Sequence, residues 1–227
     1  MFLWLPHLRI YWRNLLLLPA LAIFGGMIIY PNYAAPDDVS FMLLVFGEIL
    51  LPPLAGWIAT GLLLGDPCRE LLLVTPRPIW RIVVERLIML MLVVTVSWGA
   101  LLFVMWQLVN YTLVIPPTQL FWGGQVSVLI FISIGLWSAL RFRNVVGGSI
   151  IVAALWATGL IFRQSLLVHP IGHLIHPFLT FQAHESPLWL MNCIMLCLIA
   201  LVFIFLAVRL TFHEECWLPF ESNEEIV

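Results

Sequence analysis

Six apolar runs, Leu15 to Tyr30, Phe41 to Leu64, Ile82 to Leu108, Leu120 to Leu140, Val145 to Phe162 and Leu188 to Phe212, take up most of the sequence. A helix needs roughly 20 apolar residues to cross a bilayer core, and these runs approach or exceed that length. Composition agrees: 63% of residues are hydrophobic, 10% are charged and mean hydropathy is +1.06, whereas soluble domains carry about 25% charged residues. The expected fold class is an all-α integral membrane protein with six transmembrane helices, forming one domain over 1–227. Arg9 and Arg13 before the first run also match the opening of a signal peptide. Tyr33-Ala34-Ala35 is not a small-x-small cleavage site, however, and Pro36 follows it directly, so the first run is read as retained.

Orientation follows from arginine, because cytoplasmic loops of membrane proteins carry the excess of positive charge. All ten basic residues are arginine. With the N-terminus inside, Arg9, Arg13, Arg69, Arg77, Arg81, Arg86, Arg141, Arg143 and Arg209 fall at the cytoplasmic face and only Arg163 falls outside. Both termini are then cytoplasmic, with an acidic cytoplasmic tail at 213–227. At the N-terminus, Leu5, Leu8 and Trp12 follow helical spacing while Arg9 and Arg13 sit one turn apart on another face. Residues 1–14 read equally as an interfacial helix on the inner leaflet or as the charged flank of a span.

The stretch 65–81 is more amphipathic than a turn requires. Pro67 suits the start of a short helix, where its missing N–H costs nothing. Arg69 and Glu70 oppose Leu71, Leu72 and Leu73, and Thr75-Pro76-Arg77-Pro78 ends the piece. Trp80 opens the third span at interface depth, and Arg81 with Glu85 forms a possible ion pair one turn apart. On the other side, the connections 31–40 and 110–118 are too short for a domain. The segment 164–187 is longer and divided by prolines, which suits a re-entrant or interfacial hairpin buried against protein.

Within the spans, Glu48 is the one acidic residue well inside an apolar run, about 10 Å from its outer edge at 1.5 Å per residue. Such a group is a functional candidate by default. It is expected either to meet a cationic part of a substrate or to pair with Arg163. Pro52 and Pro53 are expected to kink the second span, Gly61 and Gly65 to permit close helix approach, and Trp57 and Trp156 to line a path. His169, His173 and His176 follow i, i+4, i+7 spacing and form an alternative metal or haem site, weakened by Pro170 and Pro177, which shorten any helix there. Cys193 and Cys197 read as small packing residues of the last span.

Taken together, the acidic residue Asp66 after the second span, Glu70-Leu71-Leu72-Leu73, the prolines that follow and the Trp80-Arg81 pair opening the third span resemble the permease subunits of ATP-binding cassette exporters of the drug, polysaccharide and lantibiotic-immunity type. The order of elements resembles them along nearly the whole chain. That resemblance implies an N-terminal interfacial helix, a coupling segment at 65–81 whose Asp66, Arg69, Glu70, Leu73, Thr75, Arg77 and Trp80 meet a cytoplasmic ATPase subunit, a second permease subunit, and export of a hydrophobic or amphipathic substrate. A P-loop needs a lysine, and these residues contain none. ATP and Mg are therefore expected on the partner ATPase, with no cofactor and no catalysis on this chain. Lipid is an expected partner, nucleic acid is not, and a bacterial plasma membrane is the expected location. The remaining alternative is a membrane scaffold or immunity protein that sequesters a ligand without transport.

Overall fold

A computed structural model describes residues 19, 36–65, 78–108 and 113–212. The readings made for 1–14, for most of 15–30, for 66–77 and for 213–227 lie outside these residues, among them those on Asp66, Arg69, Glu70, Leu73, Thr75 and Arg77.

Every regular element among the described residues is helical. Four stretches, Asp38–Leu64, Ile79–Leu108, Pro117–Phe142 and Trp189–Leu210, are long and apolar enough to cross a membrane. The chain is thus of integral-membrane type. In chain order the elements are α1 (Pro36–Leu44), a π-helical turn (Val45–Leu50), α2 (Leu51–Leu64), α3 (Ile79–Leu108), α4 (Pro117–Phe142), α5 (Val145–Ile161), three short helices α6 (Arg163–Val168), α7 (Pro170–Ile175) and α8 (Leu179–Ala183), and α9 (Trp189–Leu210). α5 is apolar but, at 17 residues, shorter than the other four. Helix starts are set by Pro36 and Pro117 rather than by the first apolar residue, since a proline in the first turn forfeits no hydrogen bond.

α4 is the central post, with buried residues from Leu120 to Leu140. Small residues bring its neighbours close: a Cβ on Gly135 would lie 2.5 Å from Gly56 O of α2, and one on Gly148 of α5 would lie 2.8 Å from the Ala139 Cβ. Close backbone approach of this kind drives helix association where burial from water is absent. Gly61, expected at such a contact, instead faces open space. α4 and α5 turn over within two residues. Arg143 takes the left-handed conformation (φ 54°), and the Asn144 side chain accepts the Val146 N–H at 2.8 Å to cap α5.

Pro52 and Pro53 do not end their helix. The helix widens into the π-turn just before them, where the Leu51 N–H donates to Phe46 O, five residues back. Pro53 has no N–H to offer Ile49 O, the carbonyl four residues earlier. Trp156 Nε1 of α5 donates to that oxygen at 2.9 Å. A carbonyl freed by proline in apolar surroundings must be satisfied by a neighbour, and here an indole does so. On the other side Trp98, 1% exposed, lies flat against Gly47 and Gly124, where any side chain would collide with it.

The long helices alternate in direction. Arg86 Nη1 donates to Leu62 O at 2.6 Å, the Thr60 and Ser149 hydroxyls lie 3.2 Å apart, and Trp137 packs on Phe203. These contacts put Arg81, Arg86, Arg141, Arg143 and Arg209 at one end of the bundle. Arg163 and the three short helices occupy the other.

Candidate functional site

At the hairpin end, residues 163–188 are broken at His169-Pro170 and His176-Pro177, because the residue before a proline is pushed out of helical conformation. His169 and His176 are both extended there, with ψ of 138° and 118°. The middle of this segment is enclosed: His176 and Phe178 are fully buried, and Leu179 and Thr180 nearly so.

Glu48 meets this buried part. α8 begins after Phe178, a residue with no side chain able to cap a helix, so its first N–H groups need partners from elsewhere. The Phe181 N–H donates to Glu48 Oε2 at 2.7 Å, and both the backbone and the hydroxyl of Thr180 also bond to the Glu48 carboxyl. Capping side chains normally come from the residue preceding the helix and take these same N–H groups. In this chain a glutamate 133 residues away does it. Gly123 of α4 makes room, since a Cβ there would collide with both Glu48 Oε1 and Thr180 Oγ1.

Polar residues of the long helices complete the junction. Trp189 Nε1 donates to Thr180 Oγ1 at 2.9 Å. Asn192 Nδ2 donates to His173 O at 2.7 Å and His176 O at 3.0 Å. The Ser127 hydroxyl donates to Pro177 O, and Gln119 Nε2 to His184 O. Phe41 and Phe181 pack with ring centroids 5.5 Å apart. The hairpin is therefore fastened to the π-turn, α4 and α9 largely through its own main chain, and to α1 by the Phe41–Phe181 ring contact.

The opposite end holds a second junction. Leu62 O belongs to the last turn of α2, where a helix runs short of its own main-chain donors. Arg86, 3% exposed, supplies one, and its positive charge suits the negative end of the helix dipole. Arg81 Nε lies 3.2 Å from Glu85 Oε1, as the spacing suggested. That pair is largely exposed and adds little. Both arginines flank the segment 66–77.

Several expectations are corrected. Glu48 is not paired with Arg163, which is exposed, because the hairpin backbone takes its carboxyl. Trp57 is 54% exposed on the outer face of α2, and Trp156 donates to Ile49 O. The three histidines do not converge. His169 is exposed, His173 Nε2 donates to Leu167 O at 2.8 Å, and His176 Nδ1 accepts the Phe178 N–H at 3.0 Å. Among the described residues no three His, Cys, Asp or Glu side chains come together to hold a metal. Burial, and then His173, push the His176 imidazole down to about 4.

Gly123, Thr180, Trp189 and Asn192 were not anticipated. The amide of Asn192 inside an apolar run was the available signal, since such a group in a span needs a partner. Comparison with family models, with characterised proteins and with solved structures finds no match to this chain.

Proposed function

We propose that the protein is the membrane subunit of an ATP-binding cassette exporter, with six spans, the arginine-bearing end in the cytoplasm and the hairpin on the opposite side. The observation that carries this reading is a continuous mechanical element. The helix running from Pro36 through Leu64 holds the hairpin by Glu48 near its middle. At its Leu64 end it is tied to α3 by Arg86. The amphipathic stretch 66–77 joins those same two helices and is read as the coupling segment, with Trp80 at its edge. Closure of a separate ATPase on ATP would push α2 and α3 together, and Glu48 would carry that movement to the hairpin, here read as re-entrant, as a switch between two discrete states.

A second copy or a related chain completes the translocation path. Supporting this are Leu50, Trp57 and Gly61, which recur at helical spacing along the outer face of the second span, Leu50 and Trp57 exposed and Gly61 facing open space. The substrate is hydrophobic or amphipathic and enters from the membrane, in keeping with short connections that offer no capture domain. The proposed setting is a bacterial plasma membrane with both termini inside.

Affinity purification of the tagged full chain from native membranes tests the reading. A P-loop ATPase recovered with it, and lost on Glu70→Ala, supports the coupling role. Recovery of the chain without an ATPase, while a bound ligand is retained, favours sequestration.

A further inference from the structure

The π-turn at Val45–Leu50 takes up roughly one residue more than an α-helical turn, and the main chain there is short of a bond. The Leu51 N–H reaches back five residues to Phe46 O. Gly47 O is then left without a helical donor, because the next N–H would belong to residue 52, which is proline. Trp98 Nε1 beside it is buried and has no partner among the described residues. A Cβ on Gly124 would lie 2.8 Å from that nitrogen and 3.3 Å from Gly47 O, so the two unmatched groups border one spot. Unmatched polar groups are costly in apolar surroundings, so something other than main-chain bonding keeps this register.

The same sequence has an α-helical register open to it. There the Leu51 N–H would return to Gly47 O, four residues back. Each residue of α1 would take the place of the one before it, a rotation of about 100° and a shift of about 1.5 Å. Met42-Leu43-Leu44-Val45-Phe46 is apolar throughout, so Leu44 and Val45 would fill the buried places that Leu43 and Leu44 now hold. Met42 would come to the place of Phe41, which is half exposed. Side chains oppose the change. Glu48 Oε2 accepts the Phe181 N–H, Phe41 packs on Phe181, Ser40 Oγ accepts the Val114 N–H, and Trp98 leaves no room for a side chain at Gly47. Two of these four contacts end on one hairpin residue, Phe181.

We infer that the π-turn is a two-state hinge set by the hairpin. It is π-helical while Glu48 caps α8, and it anneals to a regular α-helix when the cap is released, turning α1 by one residue position. The inference rests on the geometry of the second span and needs no ATPase, so it stands apart from the transport reading. The test uses the full chain with its four native cysteines replaced by alanine, reconstituted in lipid vesicles, with a nitroxide on Phe41→Cys or on Met42→Cys. Collision of each nitroxide with oxygen is measured by electron paramagnetic resonance. With Glu48 in place, the label at 41 is expected to be several-fold more accessible than the label at 42. Glu48→Ala is expected to reverse that order, and so is Gly123→Ala, which displaces the same carboxyl. Deleting Val45 removes the extra residue and leaves only a regular helix with α1 facing as it does now. In that background the label at 41 is expected to stay the more accessible one even with Glu48→Ala. An order that either substitution leaves unchanged, or a reversal that persists after the deletion, would overturn the inference.

Discussion

Phe181 donates its backbone N–H to Glu48 Oε2 across 2.7 Å, so a carboxyl in the second span serves as the cap of a short helix in the hairpin. Glu48→Ala leaves two enclosed N–H groups and a hydroxyl without their acceptor. The expected loss is about 1–3 kcal/mol of hairpin docking. It is read as a lower unfolding temperature in detergent and faster alkylation of a cysteine placed at Thr180. Glu48→Gln retains an acceptor oxygen and falls in between.

Gly123→Ala reaches the same endpoint from the other side. Its methyl group would collide with Glu48 Oε1 and Thr180 Oγ1, so the cap is displaced rather than deleted. Because both changes act on one contact, the Glu48→Ala/Gly123→Ala double variant is expected to unfold close to the worse single variant, far short of the sum. Additive losses would show that the two residues act separately.

The indole of Trp156 replaces a main-chain donor that Pro53 lacks. Trp156→Phe removes the bond to Ile49 O, at about 0.6–1.7 kcal/mol on the scale of interhelical hydrogen bonds in membranes. Pro53→Ala restores an N–H at the right place in the same helix. Combined with Trp156→Phe it is expected to recover most of the lost thermal stability, and a double variant worse than Trp156→Phe alone would refute the substitution of donors.

Acid is expected to loosen the hairpin through His176. Its imidazole accepts the Phe178 N–H and is held neutral by burial, with a folded pKa of about 4 against an ordinary 6.5. The loosened state takes up the proton first as pH falls, so docking stability is full above about 6.5, declines between 6.5 and 4, and levels off below 4. Thermal unfolding measured from pH 7.5 to 4 checks this. His176→Gln removes the titration and flattens the profile over that window.

Much of the bundle was readable from apolar run length. The ends of the four long helices fall within three residues of Phe41–Leu64, Ile82–Leu108, Leu120–Leu140 and Leu188–Phe212, because a bilayer leaves few ways to bury a backbone. Pro52 and Pro53 read as a kink, and the local answer is a π-turn, against which Trp98 packs at Gly47 and Trp156 bonds at Ile49 O from two other helices. The site was far less legible. Glu48 drew notice as a buried acid, but its partner is a main-chain N–H, and main-chain groups carry no sequence signal. Histidine spacing suggested a shared face, yet Pro170 and Pro177 break the helix that such a face requires. Gly61 and Gly65 had the right spacing for helix contact, while the approach is made at Gly56 and Gly135, a choice set by how α2 crosses α4.

In the proposed function, force passes from 66–77 to the hairpin through the second span. The direct measurement is ATP-driven efflux and ATPase rate in proteoliposomes holding the chain with the ATPase expected to co-purify with it, comparing wild type, Glu70→Ala and Glu48→Ala. The account predicts that Glu70→Ala abolishes both activities, while Glu48→Ala keeps ATP hydrolysis and loses most efflux. Efflux unaffected by either substitution would contradict it.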